Sequence, residues 1–190
     1  MATPTKERLL DASGELFRRQ GYSGTGLKQI LQEARAPFGS LYHHFPGGKE
    51  ELGAEAVRRS GRLYAQVMAA AMDVEGDIAQ RVETAFATAA RDMEASGWAD
   101  ACPIATVALE TSSDSEPLRA ACAEVFEEWF AGLGAAFAAE GATDPRRLAI
   151  ELVCAIEGAF VLCRALRDPE PLLVAGRAVA ASVGAALPQR

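Results

Sequence analysis

Apolar residues recur at helical spacing along almost the whole chain. The first segment carries one stripe of Leu9, Ala12, Leu16 and Phe17, and Gly21 follows as a natural C-terminal stop. No segment sustains the strict alternation of a half-buried strand. The pattern predicts an all-α protein of about nine helices. Their segments are 5–20, 25–34, 38–45, 50–72, 77–95, 98–113 with its helix starting near Pro103, 118–140, 146–166 and 171–187.

Two of these segments are short and are joined by a tight connection. The first has an apolar stripe, and we expect Thr25 to cap its start through the side-chain hydroxyl. Pro37 fixes its own φ near about −65° and pushes Ala36 towards an extended conformation, so the chain must turn there. Two short helices joined in this way indicate a helix-turn-helix, a DNA-reading unit.

The second short helix, residues 38–45, separates an inward face from an outward face. Leu41 and Phe45 lie four residues apart and can anchor it to the core. We expect the Tyr42 hydroxyl to contact phosphate and His43 to contact DNA, while His44 packs. Adjacent helical side chains diverge by about 100°, which argues against a metal ion shared by the two histidines.

The start of the next helix completes the predicted DNA-binding face. Lys49 would reinforce a phosphate site formed by the helix N-terminal amides, although a solvated surface charge is the alternative. Phe38 and Ser40 begin the recognition helix and are expected to set sequence preference. The complete predicted set is Thr25, Lys28, Phe38, Gly39, Ser40, Tyr42, His43 and Lys49.

The run Gly39–Pro46, followed by Lys49–Leu52, resembles the signature of the TetR (tetracycline-repressor) family of bacterial transcription regulators. Phe17, Gly21, Tyr22 and Thr25 fit the same pattern, and the match covers about residues 5 to 60. The sequence Phe45-Pro46-Gly47-Gly48-Lys49 and the segment Ala101–Ile104 are similar to the group with an LmrA/YxaF-like C-terminal domain.

The chain departs from the family pattern at four positions, among them Gly26, where the family usually has Ser or Thr, and Pro37, near which the family has a capping Ser. Arg35 stands where the family usually has Gly, so Arg35 is expected to hold a left-handed turn at a cost of about 1 kcal/mol. Phe38 replaces a residue that is often basic, which leaves the preferred DNA sequence open.

The resemblance implies a division of labour along the chain. Residues 1–48 would form the helix-turn-helix DNA-binding domain, and residues 49–190 a six-helix ligand-binding and dimerisation domain. The implied function is a ligand-responsive repressor that binds a palindromic double-stranded DNA operator as a homodimer. A small hydrophobic or aromatic effector would release it.

Charge and composition agree with this interpretation. The formal net charge is −7, but residues 1–50 carry +2 and the remainder −9, so the N-terminal part is the relatively basic one. Arg58, Arg59 and Arg62 could extend that field, although ordinary fluctuation would also explain the bias. No apolar run approaches the about 20 residues that span a bilayer, so we expect a cytoplasmic protein without membrane contact.

The four cysteines show no CxxC spacing and no histidine at ligand distance, so no metal, cofactor or disulfide framework is expected. Cys102 precedes a predicted helix N-terminus, where the pKa of a thiol can be lowered. A redox-sensing or electrophile-sensing Cys102 therefore stands beside a plain structural or pocket-lining role.

The C-terminal part is rich in aromatic residues, which either pack in the core or line a cavity for a planar apolar ligand. Glu110 and Glu157 interrupt apolar helices and would serve as polar anchors in that cavity or as partners of a base. The predicted ligand-binding set is Phe86, Trp98, Cys102, Ile104, Glu110, Phe126, Trp129, Phe130, Glu157 and Phe160. Small residues on the last two helices suit a symmetric dimer as readily as internal packing.

Two classes of function remain at this point. One is the dimeric, ligand-responsive repressor, and the other is an all-helical small-molecule binding protein or enzyme without DNA binding. Catalysis lacks support because the only two histidines lie on the predicted DNA helix, which leaves no nucleophile with a neighbouring base. We therefore expect no enzymatic activity.

Overall fold

The computed structural model describes residues 3–99 and 102–188, and within these ranges the chain forms nine α-helices and no strand. The prediction of an all-α fold is confirmed. The helices are α1 Thr5–Gln20, α2 Leu27–Glu33, α3 Phe38–His44, α4 Gly48–Met72, α5 Ile78–Ala95, α6 Pro103–Thr111, α7 Glu116–Ala139, α8 Pro145–Leu166 and α9 Glu170–Ala186.

The ends of the first helices follow from local chemistry. Gly21, with φ of 80°, ends α1 and donates its N–H to the Phe17 carbonyl. The predicted Thr25 cap of α2 is wrong: Gly26 is the N-cap residue and has no side chain. Thr25 is buried instead, and its hydroxyl donates to the Gly21 carbonyl at 2.6 Å. Arg35 has φ of 48°, which confirms the predicted left-handed turn between α2 and α3.

The segment before α6 is irregular for a related reason. Gly97 and Trp98 have φ of 63° and 66°, so the backbone cannot continue α5. Cys102 is the N-cap residue of α6 and Pro103 its first residue, as expected. Ala101, which belongs to the resemblance noted above, lies outside the described residues.

Two compact units make up the chain. Unit 1 comprises Met1–Leu63 and Cys102–Val125, and unit 2 comprises Tyr64–Ala101 and Phe126–Arg190. Thus α6 and the first part of α7 belong to the same unit as the helix-turn-helix, and the packing does not break at residue 48. The division at residue 48 stays a prediction about function.

Unit 1 is built on a continuous apolar core. Two ion pairs fasten α4 within it: Arg59 Nε lies 2.6 Å from Asp11 Oδ1, and Arg58 Nε lies 2.5 Å from Glu124 Oε2. Arg58 and Arg59 were expected to extend the basic field of the N-terminal part, but each is neutralised by its ion pair. Arg62 is exposed and can still contribute to that field. The buried side chains include Leu9, Phe17, Ile30, Leu41, Phe45, Leu52, Ile104 and Leu118.

Unit 2 contains α5, α8 and α9, and α9 packs against both others. A Cβ atom added at Gly176 of α9 would lie 2.6 Å from Phe86 Cβ of α5, so only glycine permits this approach. Buried residues of this core include Ile78, Val82, Phe86, Met93, Phe137, Leu148, Leu172, Val179 and Val183.

Candidate functional site

Helix α3 separates its two faces as the sequence pattern predicts. Leu41 and Phe45 at its end are 1% and 0% exposed and fix the helix to the core of unit 1. Phe38 and Tyr42 are 66% and 50% exposed, and their ring centroids lie 6.2 Å apart. Gly39 and His43 are also exposed. One side of this short helix is thus anchored in the core, and the other presents aromatic, polar and backbone groups to solvent.

The other side chains of α3 are fixed locally. The Ser40 hydroxyl donates to the Pro37 carbonyl at 2.6 Å, which closes the first turn. His44 is partly buried, and its ring lies 4.9 Å from that of His43 in an edge-on arrangement. Within residues 3–99 and 102–188, no group of three or more His, Cys, Asp or Glu is placed to hold a metal ion.

An open groove of about 460 Å³ lies where α2 meets α3. Two exposed cationic side chains, Lys28 and Arg35, contribute to it, and Phe38 forms part of its wall. Among the described residues, none that lines the groove is acidic. The complete lining is Lys28, Leu31, Gln32, Arg35, Ala36, Pro37 and Phe38.

Lys49, predicted to contact phosphate, is engaged within unit 1. Its Nζ donates to the Tyr22 carbonyl at 2.7 Å and lies 4.0 Å from the centroid of the Tyr22 ring. Burial lowers the pKa of the Lys49 ammonium, and the nearby Glu110 carboxylate acts in the opposite direction. A phosphate contact would have to compete with these interactions.

Thr25 is likewise turned inwards, at 1% exposure. It belongs to a network in which Gln20 Nε2 contacts Thr25 Oγ1 at 3.2 Å and donates to Gln29 Oε1 at 2.7 Å. Any contact of Thr25 with DNA would therefore involve the segment's backbone rather than its hydroxyl.

Arg8 positions the turn between the two DNA-reading helices, and sequence reasoning missed it. Its Nε donates to the Ala34 carbonyl at 2.9 Å, at the C-terminus of α2. A basic side chain is suited to unpaired carbonyl groups at a helix end. Since Arg8 lies 26 residues before Ala34, no local spacing could reveal the contact.

Glu110 has a role different from the predicted polar anchor in a ligand cavity. Its Oε2 accepts the Ser23 N–H at 2.7 Å, so the carboxylate of α6 binds the loop between α1 and α2. Gly21 has φ of 80°, which favours glycine, and a Cβ atom there would lie 1.8 Å from Glu110 Oε1, so a larger residue would also displace this carboxylate. Glu110 therefore belongs to the support of the DNA-reading helices.

A cavity of about 320 Å³ lies within unit 2, between the end of α4, the start of α5 and the middle of α7. Of the ten residues predicted to bind ligand, Trp129 lines it. Arg81 and Glu128 add the two charged groups. The lining is Ala65, Met68, Ala69, Met72, Ile78, Arg81, Glu128, Trp129, Gly132, Leu133 and Ala136.

The remaining predicted ligand residues are dispersed. Cys102 and Ile104 are buried in unit 1, and the Cys102 sulfur accepts the Ala105 N–H at 3.4 Å. This burial favours the structural role of Cys102 over the sensing role. Phe86 packs against Gly176 in the core of unit 2, and Trp98 occupies the left-handed turn after α5.

Four further predicted ligand residues lie on α7 and α8. Phe126 packs edge-on against Trp129 at 5.8 Å and stacks with Phe130 at 6.5 Å. Glu157 and Phe160 are partly exposed on α8. The predicted set is therefore not brought together around one cavity, because aromatic residues also serve the core.

Helix α8 exposes several large apolar side chains on its outer face. Val161, Leu162 and Leu166 are 60%, 53% and 65% exposed, and Cys154 and Gly158 lie on the same side. On α9, exposed small residues repeat at helical spacing, at Ala178, Ala181 and Ala185. No helix of the described ranges is long and apolar enough to cross a membrane.

Comparison with known proteins agrees with these features. Residues 9–56 match the family described as "Bacterial regulatory proteins, tetR family". Residues 78–178 match "Transcriptional regulator LmrA/YxaF-like, C-terminal domain".

Individual relatives extend the match over nearly the whole chain. The transcriptional regulator LmrA of Bacillus subtilis is 36% identical over 171 residues, which cover 89% of this chain and 91% of LmrA. YxaF of the same organism is 34% identical, with 90% of each chain covered. The reduced form of NemR of Escherichia coli superposes with a TM-score of 0.81 at 25% identity, over 98% of both chains. The chain belongs to the TetR family of DNA-binding transcriptional regulators, in the group with an LmrA/YxaF-like C-terminal domain, and is a regulator rather than an enzyme.

Proposed function

We propose that this regulator is a repressor that binds a palindromic operator as a homodimer and is released by an apolar or aromatic small molecule in the cytoplasm. The observation that carries the proposal is α3, whose buried Leu41 and Phe45 hold an outward face of Phe38, Tyr42 and His43. A relative, NemR of Escherichia coli, is named a transcriptional repressor, which supports the direction of regulation.

In this proposal α3 enters the major groove of the operator. Exposed groups of α3 face the base edges, and the exposed Lys28 lies against the phosphate backbone. Lys49 contacts phosphate if DNA draws it from the Tyr22 carbonyl. Thr25 contributes through its loop, because its hydroxyl is bound to Gly21.

The outer faces of α8 and α9 support dimerisation. Val161, Leu162 and Leu166 are large, exposed and close together on the surface of α8. A contiguous apolar patch of this kind marks an interaction surface. The small residues of α9 would let a second copy approach closely. A symmetric dimer is also what a palindromic site with half-sites about 34–36 Å apart requires.

The cavity of unit 2 supports an effector site. Trp129 and Leu133 of α7 and Met68 and Met72 of α4 supply apolar surface, and Arg81 adds a cationic group. Such a lining suits a molecule with an apolar, partly planar body. Because α4 runs from Gly48 to Met72, an effector that displaces its C-terminal part would act on the helix that also carries Lys49.

The functional division at residue 48 follows from these assignments. Residues 1–48 contain the predicted DNA contacts except Lys49, and residues 49–190 contain the cavity and the outer faces of α8 and α9. In packing terms α6 supports the DNA-reading unit, so the division concerns function alone.

A gel-mobility shift with duplex DNA from upstream of the protein's own gene tests the proposal. We expect a discrete complex that a tenfold excess of unrelated DNA does not compete away. Adding planar aromatic compounds should dissociate the complex. No complex with any upstream or selected duplex would favour an all-helical small-molecule binding protein instead.

A further inference from the structure

Phe38 is an unusual residue to leave in water at the start of a DNA-reading helix. It is 66% exposed, whereas Leu41, three residues later on the same short helix, is 1% exposed. A phenyl ring in water forgoes the stabilisation that burial provides. Tyr42 follows one turn later with its ring centroid 6.2 Å away, so the two rings form one outward apolar patch.

The surroundings of this patch define the chemistry of its partner. The groove that Phe38 helps to form contains the cations Lys28 and Arg35, and its lining within residues 3–99 and 102–188 includes no acidic residue. Its occupant should therefore be anionic overall, yet apolar at the point that meets Phe38. A phenyl ring neither donates nor accepts an ordinary hydrogen bond, so this position cannot read the polar atoms of a base edge.

The major groove of DNA offers one apolar feature on a base edge. Guanine, adenine and cytosine present nitrogen and oxygen donors or acceptors, whereas thymine adds a C5-methyl group. Apolar side chains, phenylalanine among them, contact this methyl group. A phosphate-lined groove with thymine methyl groups thus meets both requirements of the cationic, aromatic surface.

We propose that Phe38 selects thymine by burying its C5-methyl group against the Phe38 and Tyr42 rings, while Lys28 and Arg35 neutralise the adjoining phosphates. The inference rests on the proposed function, in which α3 enters the major groove. It adds the feature of the operator that is read at this position. An operator of this protein contains a thymine opposite Phe38 in each half-site, in place of the guanine that a basic residue there would favour.

The experiment begins with a duplex selected from a random pool by the full-length protein. Each thymine of that duplex is then replaced by deoxyuridine, which removes the methyl group and leaves the hydrogen-bonding atoms unchanged. Dissociation constants are measured by fluorescence anisotropy at constant salt. Loss of one buried methyl group should weaken binding about 4-fold per half-site at the thymine that meets Phe38.

Variants assign this effect to Phe38. Phe38→Ala should bind the unmodified duplex at least as weakly as the wild type binds the uracil duplex, and it should no longer distinguish the two at that position. Phe38→Leu should keep part of the discrimination. Leu109→Ala is the matched control, because Leu109 is an apolar side chain of unit 1 that is 83% exposed on α6. Its uracil profile should equal that of the wild type.

Three outcomes separate the possibilities. If replacing each thymine by deoxyuridine leaves the dissociation constant of the wild type unchanged, the thymine proposal is overturned. The proposed function as a repressor is not affected by that result. A Phe38→Ala variant that keeps the full uracil sensitivity overturns the role of Phe38. Failure to select any duplex removes the thymine proposal together with the proposed function on which it rests.

Discussion

Unit 1 and unit 2 both expose large apolar side chains, but in different chemical settings. In unit 1 the exposed rings of Phe38 and Tyr42 stand beside the cations Lys28 and Arg35. In unit 2 the exposed side chains of α8 around Leu162 are aliphatic, with uncharged Cys154 and Gly158 among them.

The difference indicates two kinds of partner. An apolar patch edged with cations complements a polyanion that carries apolar groups, as a thymine-containing major groove does. An aliphatic patch beside small residues complements another copy of itself, because a two-fold interface brings the same surface from both subunits together. Burial alone would give the two faces the same interpretation, whereas the neighbouring charges separate them.

The largest expected effect comes from placing a charge on the aliphatic face, the surface of α8 formed by Val161, Leu162 and Leu166. Leu162→Glu would bury a carboxylate in the proposed interface, which is costly without a partner. Light scattering should give a wild type of twice 20.1 kDa and a variant of 20.1 kDa. Operator affinity should fall on the order of 100-fold or more, since two linked half-site contacts become independent.

Leu109→Glu provides the control for this change, because it introduces the same charge at an exposed leucine of α6. That variant should remain dimeric and keep its operator affinity. A Leu162→Glu variant that scatters as a dimer would place the interface elsewhere.

The second effect concerns the cavity of unit 2. Gly132 lines it, and a Cβ atom there would meet nothing within 4 Å, so Gly132→Leu should fill space without a clash. An effector should weaken operator binding by about 5- to 150-fold in the wild type, the usual scale of such coupling. In Gly132→Leu the effector should have no influence, while operator binding persists.

Tryptophan fluorescence supplies the measurement, because Trp129 lines the cavity and an aromatic ligand would quench it. Titrations with and without operator must give dissociation constants that differ by the same factor as operator binding does. Ala131→Leu, at an exposed position of α7, is the control and should behave as the wild type. Equal constants would mean that the ligand binds without regulating.

The fold was predictable because nearly every helix carries its own signal. Gly21 ends α1, Pro103 begins α6, and an apolar stripe marks the side of a helix that packs into the core. The predicted cap at Thr25 is wrong although threonine is a favoured N-cap residue. The Thr25 hydroxyl donates to the Gly21 carbonyl instead of accepting an N–H group of α2. Chain spacing alone could not distinguish these two uses of the same hydroxyl.

The candidate DNA face was easier to predict than the cavity. Residues of α3 form one short segment, so helical periodicity alone assigns Leu41 inwards and Tyr42 outwards. The cavity is formed by residues far apart in sequence, among them Met68 and Trp129, and by small residues without distinctive chemistry. Glu110 was misassigned because its partner, the Ser23 N–H, lies 87 residues away.

A third, smaller effect tests how closely α3 approaches DNA. Nothing lies within 4 Å of a Cβ atom at Gly39, so Gly39→Ala should fold and gain up to about 1 kcal/mol of helix stability. If the Gly39 backbone faces a base edge, the added methyl group should weaken operator binding about 10-fold. Thermal unfolding and anisotropy would measure the two changes, and unchanged affinity would move the DNA away from Gly39.

A fourth effect compares two lysines of unit 1. Lys28→Ala removes an exposed cation, and Lys49→Ala removes one that now binds the Tyr22 carbonyl. For each lysine that contacts phosphate, all DNA sequences should bind a few-fold more weakly, and the slope of log K against log salt should fall by about one. An unchanged slope for Lys49→Ala would restrict Lys49 to holding the loop before α2.

The smallest expected effect is a change in the alkylation rate of Cys154. This rate reports on the exposed apolar face of α8 without any measurement of operator affinity. Cys154 is exposed on α8, whereas burial raises the pKa of the Cys122 thiol to about 11, so Cys122 should resist alkylation at pH 8. Iodoacetamide should label Cys154 several-fold more slowly at protein concentrations that favour the dimer, because a second copy covers it. In Leu162→Glu the rate should be fast at every concentration. Mass spectrometry of the labelled peptides would follow both thiols, and a wild-type rate independent of concentration would remove Cys154, and with it this side of α8, from the interface.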